Sequence, residues 1–381
     1  MYTNNTKKRV LIYSMAYYPL IGGAEIAVKE ITQRISDIEW TMVTRRFDDT
    51  HPAYEKIGAI DVYRVRCPKI FFPFIAFWKG KQLYKEKQFD MVWAVMTYAG
   101  FAALFLKLSL KKILFFLNLQ EGTPFADIKR KAFFVYPLFR LMFKKADVIT
   151  ALSQFLAHMA HDIGATHAVV VPNGVDLSLF ATEPPREKVI SLARTLGKRD
   201  DDIYLTTVSR LSHKNGVDDL IRSLQYLPEH IKLLIAGVGE DEYMLKRMAD
   251  TLGVRDRVVF LGLVNQTDIP VLLRISDIFV RASRSEGFGI SFIEAMAAGL
   301  PVVATPVGGI PDFIDDRETG MFVCPDNPKS IAEAINELIE RDDLRNHIAI
   351  QGQKRVCMRY SWDTIVPQMN EHVFDMIRMR T

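Results

Sequence analysis

The sequence predicts an α/β protein built from two Rossmann-like halves that face each other across a cleft. Three observations carry this. The chain has 381 residues, 49% apolar and 25% charged, which at about 100–200 residues per domain suffices for two cores. Short β-rich apolar runs alternate with longer helical patterns, the mark of parallel sheets with crossover helices. The alternation also halts once, at a turn cluster and a polar, proline-rich stretch, and then restarts.

Taken in order, residues 9–14 (RVLIYS) read as a buried strand, and apolar residues at helical spacing follow from 23 to 35. Residues 91–95, 113–117, 148–151 and 169–171 are further short strands. The turn Pro172-Asn173-Gly174-Val175-Asp176 and the polar stretch 183–188 (EPPREK) come next. The halves are therefore placed at 1–178 and 179–360. In the second, strands are expected at 203–208, 232–236, 258–261, 278–281 and 302–304, with a helix over 217–227. Residues 361–378 are helical in pattern, and this C-terminal helix, about 361–381, could pack back onto the first half. Ligands bind at the carboxyl ends of such strands, so the expected site lies between the halves.

Composition excludes several classes. Cys67, Cys324 and Cys357 are far apart and form no CxxC pair, which argues against a disulfide framework or structural zinc and for a reducing, cytoplasmic setting. No secretory h-region opens the chain, and no apolar stretch nears the ~20 residues that span a bilayer. The net charge of +4 is split. Residues 1–178 hold 24 Lys and Arg against 15 Asp and Glu, a net of +9; the remaining 203 hold 25 against 30, a net of −5. A basic first half suits an anionic partner.

The most informative stretch is 281–309, RASRSEGFGISFIEAMAAGLPVVATPVGG. A strand leads into the turn Glu286-Gly287-Phe288-Gly289, then a helix from Ile290 to about Ala298, stopped by Gly299 and Pro301. Glycines admit an anion to the backbone, and the helix start offers free N–H groups. Glu294 follows Glu286 by eight residues, so both carboxylates can flank one ligand; such a group suits ribose or sugar hydroxyls.

This stretch resembles the E-x7-E signature of the retaining glycosyltransferases of family 4, which have the two-domain GT-B fold. Further matching motifs are Gly22-Gly23-Ala24-Glu25, Pro172 to Asp176, Ser209-Arg210-Leu211 with Lys214-Asn215-Gly216, Ala236-Gly237 with Gly239-Glu240, and Gly308-Gly309-Ile310-Pro311. The resemblance implies that the second half binds a nucleotide-sugar donor, with Glu286, Arg210 and Lys214 as catalytic groups. Gly239, Phe288, Gly289, Ile290 and Glu294 would complete the donor site, with Gly22 and Gly23 closing over its phosphates. Arg and Lys suit a diphosphate leaving group. The family usually sets its lysine just before the glycine, where this chain has Asn215. It commonly has a histidine after the strand at 113–117, where this chain offers Gln120 and Glu121 as acceptor-binding residues.

Other chemistries find no support. No GxGxxG or GxxxxGK[ST] is present, His158 and His161 lack a third ligand, and the aspartate pairs read as polar loops. The expectation is a retaining, metal-independent glycosyltransferase with no cofactor beyond its nucleotide-sugar co-substrate. Its acceptor would be lipid-linked or a polysaccharide of the cell envelope; no nucleic acid is expected. The alternatives are a nucleotide-sugar epimerase on the same fold, or a basic-faced lipid- or nucleic-acid-binding module. Residues 68–81 (PKIFFPFIAFWKGK) and 129–145 mix aromatics with lysines, which suits peripheral contact with an anionic membrane surface; the same pattern fits a core edged by solvated charges.

Overall fold

The computed structural model describes residues 7–20, 22–122 and 135–380; residues 129–134 of the second aromatic–basic segment lie outside them. The chain divides into two compact units, 1–173 with 362–381, and 174–361.

Among its described residues the first unit holds eight strands: β1 (Lys8–Tyr13), β2 (Ile38–Arg45), β3 (Tyr54–Ile57), β4 (Ile60–Val65), β5 (Met91–Val95), β6 (Leu114–Leu119), β7 (Val148–Ala151) and β8 (Val169–Val170). Their order in the sheet is β3-β4-β2-β1-β5-β6-β7-β8, and every pair is parallel except β3 with β4. Strands β5 and β6 are buried along their whole length, as expected where helices cover both faces. The helices include α1 (Gly23–Arg34), α2 (Phe72–Lys87), α3 (Met96–Ser109), α4 (Tyr136–Lys145) and α5 (Gln154–Ile163). Ser153 caps α5, its hydroxyl accepting from Leu156 N at 3.3 Å, and Gly164 ends it in the left-handed region.

The second unit holds β9 (Ile203–Val208), β10 (Ile231–Ala236), β11 (Val258–Gly262), β12 (Ile278–Arg281), β13 (Val302–Ala304) and β14 (Met321–Phe322). They lie in the order β11-β10-β9-β12-β13-β14, all parallel. The crossover helices include α6 (Val217–Ser223), α7 (Glu242–Thr251), α8 (Ile290–Ala297) and α9 (Pro328–Glu340). Both sheets are thus doubly wound. Strand order reverses between β1 and β5 in the first and between β9 and β12 in the second, the places where such sheets bind ligands.

Three features differ from the sequence reading. The boundary falls at 173/174 and not at 178/179, because Val175 N donates to Tyr360 O at 2.7 Å and pairs its segment with Ser361 in the second unit. The proline-rich 183–188 is no linker: Pro185 precedes a helix, Arg186–Thr195, whose Val189, Leu192 and Ala193 pack on Leu234 and Leu272 of the second unit. Strands β2 to β4 were not anticipated; β3 and β4 form a short antiparallel edge whose alternating burial is a weak signal.

The chain returns to the first unit at its end. Trp362, Ile365, Val366, Met369, Val373, Phe374 and Ile377 join the core of β1, β2, β5 and β6, and the Phe374 ring meets Trp40 edge-on at 5.2 Å. Among the described residues no helix is long and apolar enough to cross a membrane.

Candidate functional site

At the carboxyl edge of the second sheet, loops leave β9, β10, β12 and β13. Gly216 and Gly239 hold these loops together. Gly216 has φ +65°, and a Cβ there would stand 1.8 Å from Ala282 O at the end of β12. A Cβ on Gly239 would stand 2.0 Å from Leu211 O, so the loop after β10 rests on the loop after β9. Gly239 therefore has a packing reason to be glycine, apart from any ligand. Gly216→Ala is expected to lower stability by more than the ~1–2 kcal/mol of its left-handed backbone, because the carbonyl contact adds to it; a thermal melt checks this.

Just beyond β9, the Arg210 guanidinium reaches across to Glu240, with Nε at 3.2 Å and Nη2 at 3.1 Å from Oε2. The Glu240 carboxyl is held below its usual range by its own backbone N–H, then by Arg210 and Lys214. All three side chains are exposed, so the two cations stand available at the edge of the sheet. The next residue, Asn215, is buried.

Asn215 leads to a residue that the sequence reading passed over. The Nδ2 of Asn215 donates to Arg210 O at 2.6 Å, and its Oδ1 accepts from Arg281 Nη2 at 2.7 Å. Arg281 is the last residue of β12 and only 7% exposed. Its guanidinium also pairs with Glu286, donates to Ser291 Oγ at 3.0 Å and lies over the Phe292 ring. Glu286 accepts from Gly287 N at 3.0 Å as well, so its carboxylate is fixed on both sides. One buried cation thus joins the loop after β9, the glycine turn and the start of α8. The available signal was an arginine closing an otherwise apolar strand, five residues before Glu286.

Helix α8 begins after Gly289, whose φ of +96° requires glycine, and no side chain caps it. Phe288 is buried against Phe313 and Tyr360. Ile290 is the first residue of the helix, where backbone N–H groups have no partner within the helix. Glu294 is 7% exposed, and among the described residues nothing donates to its carboxyl. Burial pushes that carboxyl up to about 8. A buried, unpartnered acid costs free energy in the empty protein, which suits a group awaiting hydroxyl donors.

The first unit has its own constellation. Gly22 precedes α1 in extended conformation, and Gly23 is its first residue. The Glu25 carboxyl turns back to accept the N–H groups of Gly22 and of Glu25 itself, while burial pushes it above the usual carboxylate range. After β6, Gln120 belongs to a line of amides. Asn118 Nδ2 donates to Thr150 Oγ1 at 2.8 Å, Gln120 Nε2 to Asn118 Oδ1 at 2.7 Å, and Asn173 Nδ2 to Gln120 Oε1 at 3.1 Å. Glu121 turns inward: Thr97 N and Gln120 N both donate to its carboxyl, which burial pushes above its usual range. Among the described residues no three His, Cys, Asp or Glu side chains converge as a metal site.

Residues 191–355 match the profile of "Glycosyl transferases group 1", and residues 21–179 that of "Glycosyltransferase Family 4". An uncharacterized glycosyltransferase of Methanocaldococcus jannaschii is 37% identical over 201 residues, 52% of either chain, so the match spans about half the length of that relative. A GDP-mannose-dependent alpha-(1-6)-phosphatidylinositol monomannoside mannosyltransferase of Mycobacterium tuberculosis is 30% identical over 58% of this chain and 60% of its own. Among solved structures, Anabaena HepE in complex with UDP-glucose superposes with a TM-score of 0.83 at 22% identity, over 96% of this chain and 99% of that one. With both parallel-sheet units matched in turn, the chain belongs to glycosyltransferase family 4 and has the GT-B fold.

Proposed function

We propose that this glycosyltransferase transfers a hexose-type sugar from a UDP- or GDP-sugar to a lipid-linked or polysaccharide acceptor, with retention at the anomeric carbon and without a metal ion. The carrying observation is the carboxyl edge of the second unit, where two exposed cations, a fixed Glu286 and a buried, unpartnered Glu294 share one strand switch point. The relative that uses GDP-mannose and the HepE structure with UDP-glucose support a nucleotide-sugar donor.

In this reading Glu294 accepts from the ribose hydroxyls, while Arg210 and Lys214 neutralise the diphosphate with help from the N–H groups at the start of α8. In the first unit, Gly22 and Gly23 at the start of α1 are assigned to the donor, and Gln120 with its amide neighbours to the acceptor. The C1–O bond to the phosphate breaks as the acceptor oxygen bonds to C1 on the same face. The acceptor proton passes to the departing phosphate oxygen, so the protein supplies charge and position and no separate base.

The test begins with a thermal-shift panel of UDP, GDP, ADP and CMP and their sugar conjugates; a ligand at 100 times its Kd stabilises by about 2.7 kcal/mol. With the donor so found, NMR of early product is expected to show the donor's anomeric configuration, at a rate unchanged by EDTA. An inverted product, or activity that EDTA removes and Mg²⁺ restores, overturns the reading.

A further inference from the structure

Helix α2 and the turn before it, Lys69–Phe71, carry a feature the transfer chemistry does not use. The helix packs on its unit through Phe72, Pro73, Ala76, Gly80 and Leu83, a stripe at spacings of three and four. The other side of a helix so packed is ordinarily polar. Here Ile70 is 71% exposed, Phe71 and Phe74 54% each, and Trp78 64%. The apolar surface continues onto α3, where Phe105 stacks on Phe74 at 5.4 Å and Leu108 is exposed. Of the five aromatics between Lys69 and Lys79, only Phe72 is core. The sequence left a core edged by charges and a membrane surface as alternatives, and this face is not core.

Its rim is basic. Lys69, Lys79, Lys81 and Lys85 flank it, and the Lys81 ammonium lies 5.5 Å from the Trp78 ring centre. The only acid on α2 is Glu86, in its last turn. The kind of cation separates two occupants. Protein interfaces are enriched in Arg and depleted in Lys. Every cation on α2 is lysine, which combines with exposed Phe and Trp as interfacial segments on anionic lipid do. The location is also specific. Tyr98 OH donates to Lys69 O at 2.7 Å, and the adjoining Thr97 N donates to Glu121. The apolar face therefore starts beside the carboxyl edge that carries Gln120.

We propose that this face docks on an anionic lipid bilayer, inserting Phe71, Phe74 and Trp78 between headgroups while the lysines contact lipid phosphates. The docking follows from the surface alone; its purpose, bringing a lipid-linked acceptor to Gln120, rests on the proposed function.

Trp78 provides the readout. Trp40, Trp93 and Trp362 are buried, so a change in tryptophan environment on docking reports Trp78. With vesicles of phosphatidylcholine and phosphatidylglycerol in equal parts, the protein is expected to co-sediment and its emission to shift to the blue. With phosphatidylcholine alone, binding should be much weaker. Lys79→Glu, Lys81→Glu and Lys85→Glu together should weaken binding by ~100-fold or more. Phe74→Ser with Trp78→Ser should remove the part that survives 1 M salt, where the Debye length is about 3 Å. Unchanged melting and unchanged nucleotide binding show that the variants are folded. Wild type that stays in the supernatant with the mixed vesicles, or a lipid-free dimer in which Trp78 is shielded from acrylamide, overturns docking. In either case nucleotide-induced stabilisation of the same sample tests the transferase reading separately.

Discussion

Arg281→Ala is expected to destabilise the second unit by about 3–5 kcal/mol and to reduce turnover at least a hundredfold. The cost arises because truncation leaves the mostly buried Glu286 carboxylate without its cation and removes the donor to Asn215 and Ser291. Losing one partner of a buried pair is far more damaging than losing both, since an uncompensated charge in low dielectric is the worst arrangement. The paired variant Arg281→Met with Glu286→Gln separates the roles. It is expected to recover most of the melting temperature, as apolar replacements of buried ion pairs often do, but not the activity. Chemical denaturation and steady-state kinetics on the single variants and the pair complete the cycle. If Arg281→Ala melts and turns over like wild type, Glu286 does not depend on it.

Glu294→Gln is expected to act in opposite directions on stability and binding. The folded carboxyl titrates near 8, against 4.5 for the free group, because burial disfavours its charge. A raised folded pKa contributes stability that is complete below about pH 4.5 and lost as pH rises through 8. At and above pH 8 the empty wild type carries a buried carboxylate costing a few kcal/mol, at 1.36 kcal/mol per unit. The glutamine variant carries none. It should melt higher than wild type without ligand, by a margin that grows between pH 5 and 8 and then levels. The same variant should bind UDP or GDP more weakly, by the ~1.5–3 kcal/mol of a charged hydrogen bond. Nucleotide binding to wild type at pH 7 should also release protons, since ribose hydroxyls donate best to the carboxylate. Calorimetry in buffers of different ionisation enthalpy measures that release. A variant with wild-type affinity and an unaltered pH–stability curve would remove Glu294 from the donor site.

Much of this site was legible because its residues are local. The run from Glu286 to Glu294 fixes a turn, a helix start and a buried acid within nine residues, and glycine spacing marks the turn. Arg210 and Lys214 were legible for the same reason. What escaped is long-range. Arg281 meets Asn215 across 66 positions, and the one local sign, an arginine closing the apolar strand IFVR, names none of its partners. The amide line from Thr150 through Asn118 and Gln120 to Asn173 joins strand ends that only the sheet order brings together. The unit boundary escaped likewise, since the pairing of Val175 with Ser361 outweighs a proline-rich composition.

That pairing marks where the chain leaves the second unit to finish the first. The second unit is in effect an insertion, and the first is closed by residues made after it. On the ribosome, residues 174–361 emerge as a whole while Trp40, Trp93 and Phe116 still await the Phe374 ring that completes their cluster. Synthesis normally favours the N-terminal unit, which emerges and folds first. Here the order of birth and the order of completion are reversed: the first unit begins first and is completed only after the second has been made.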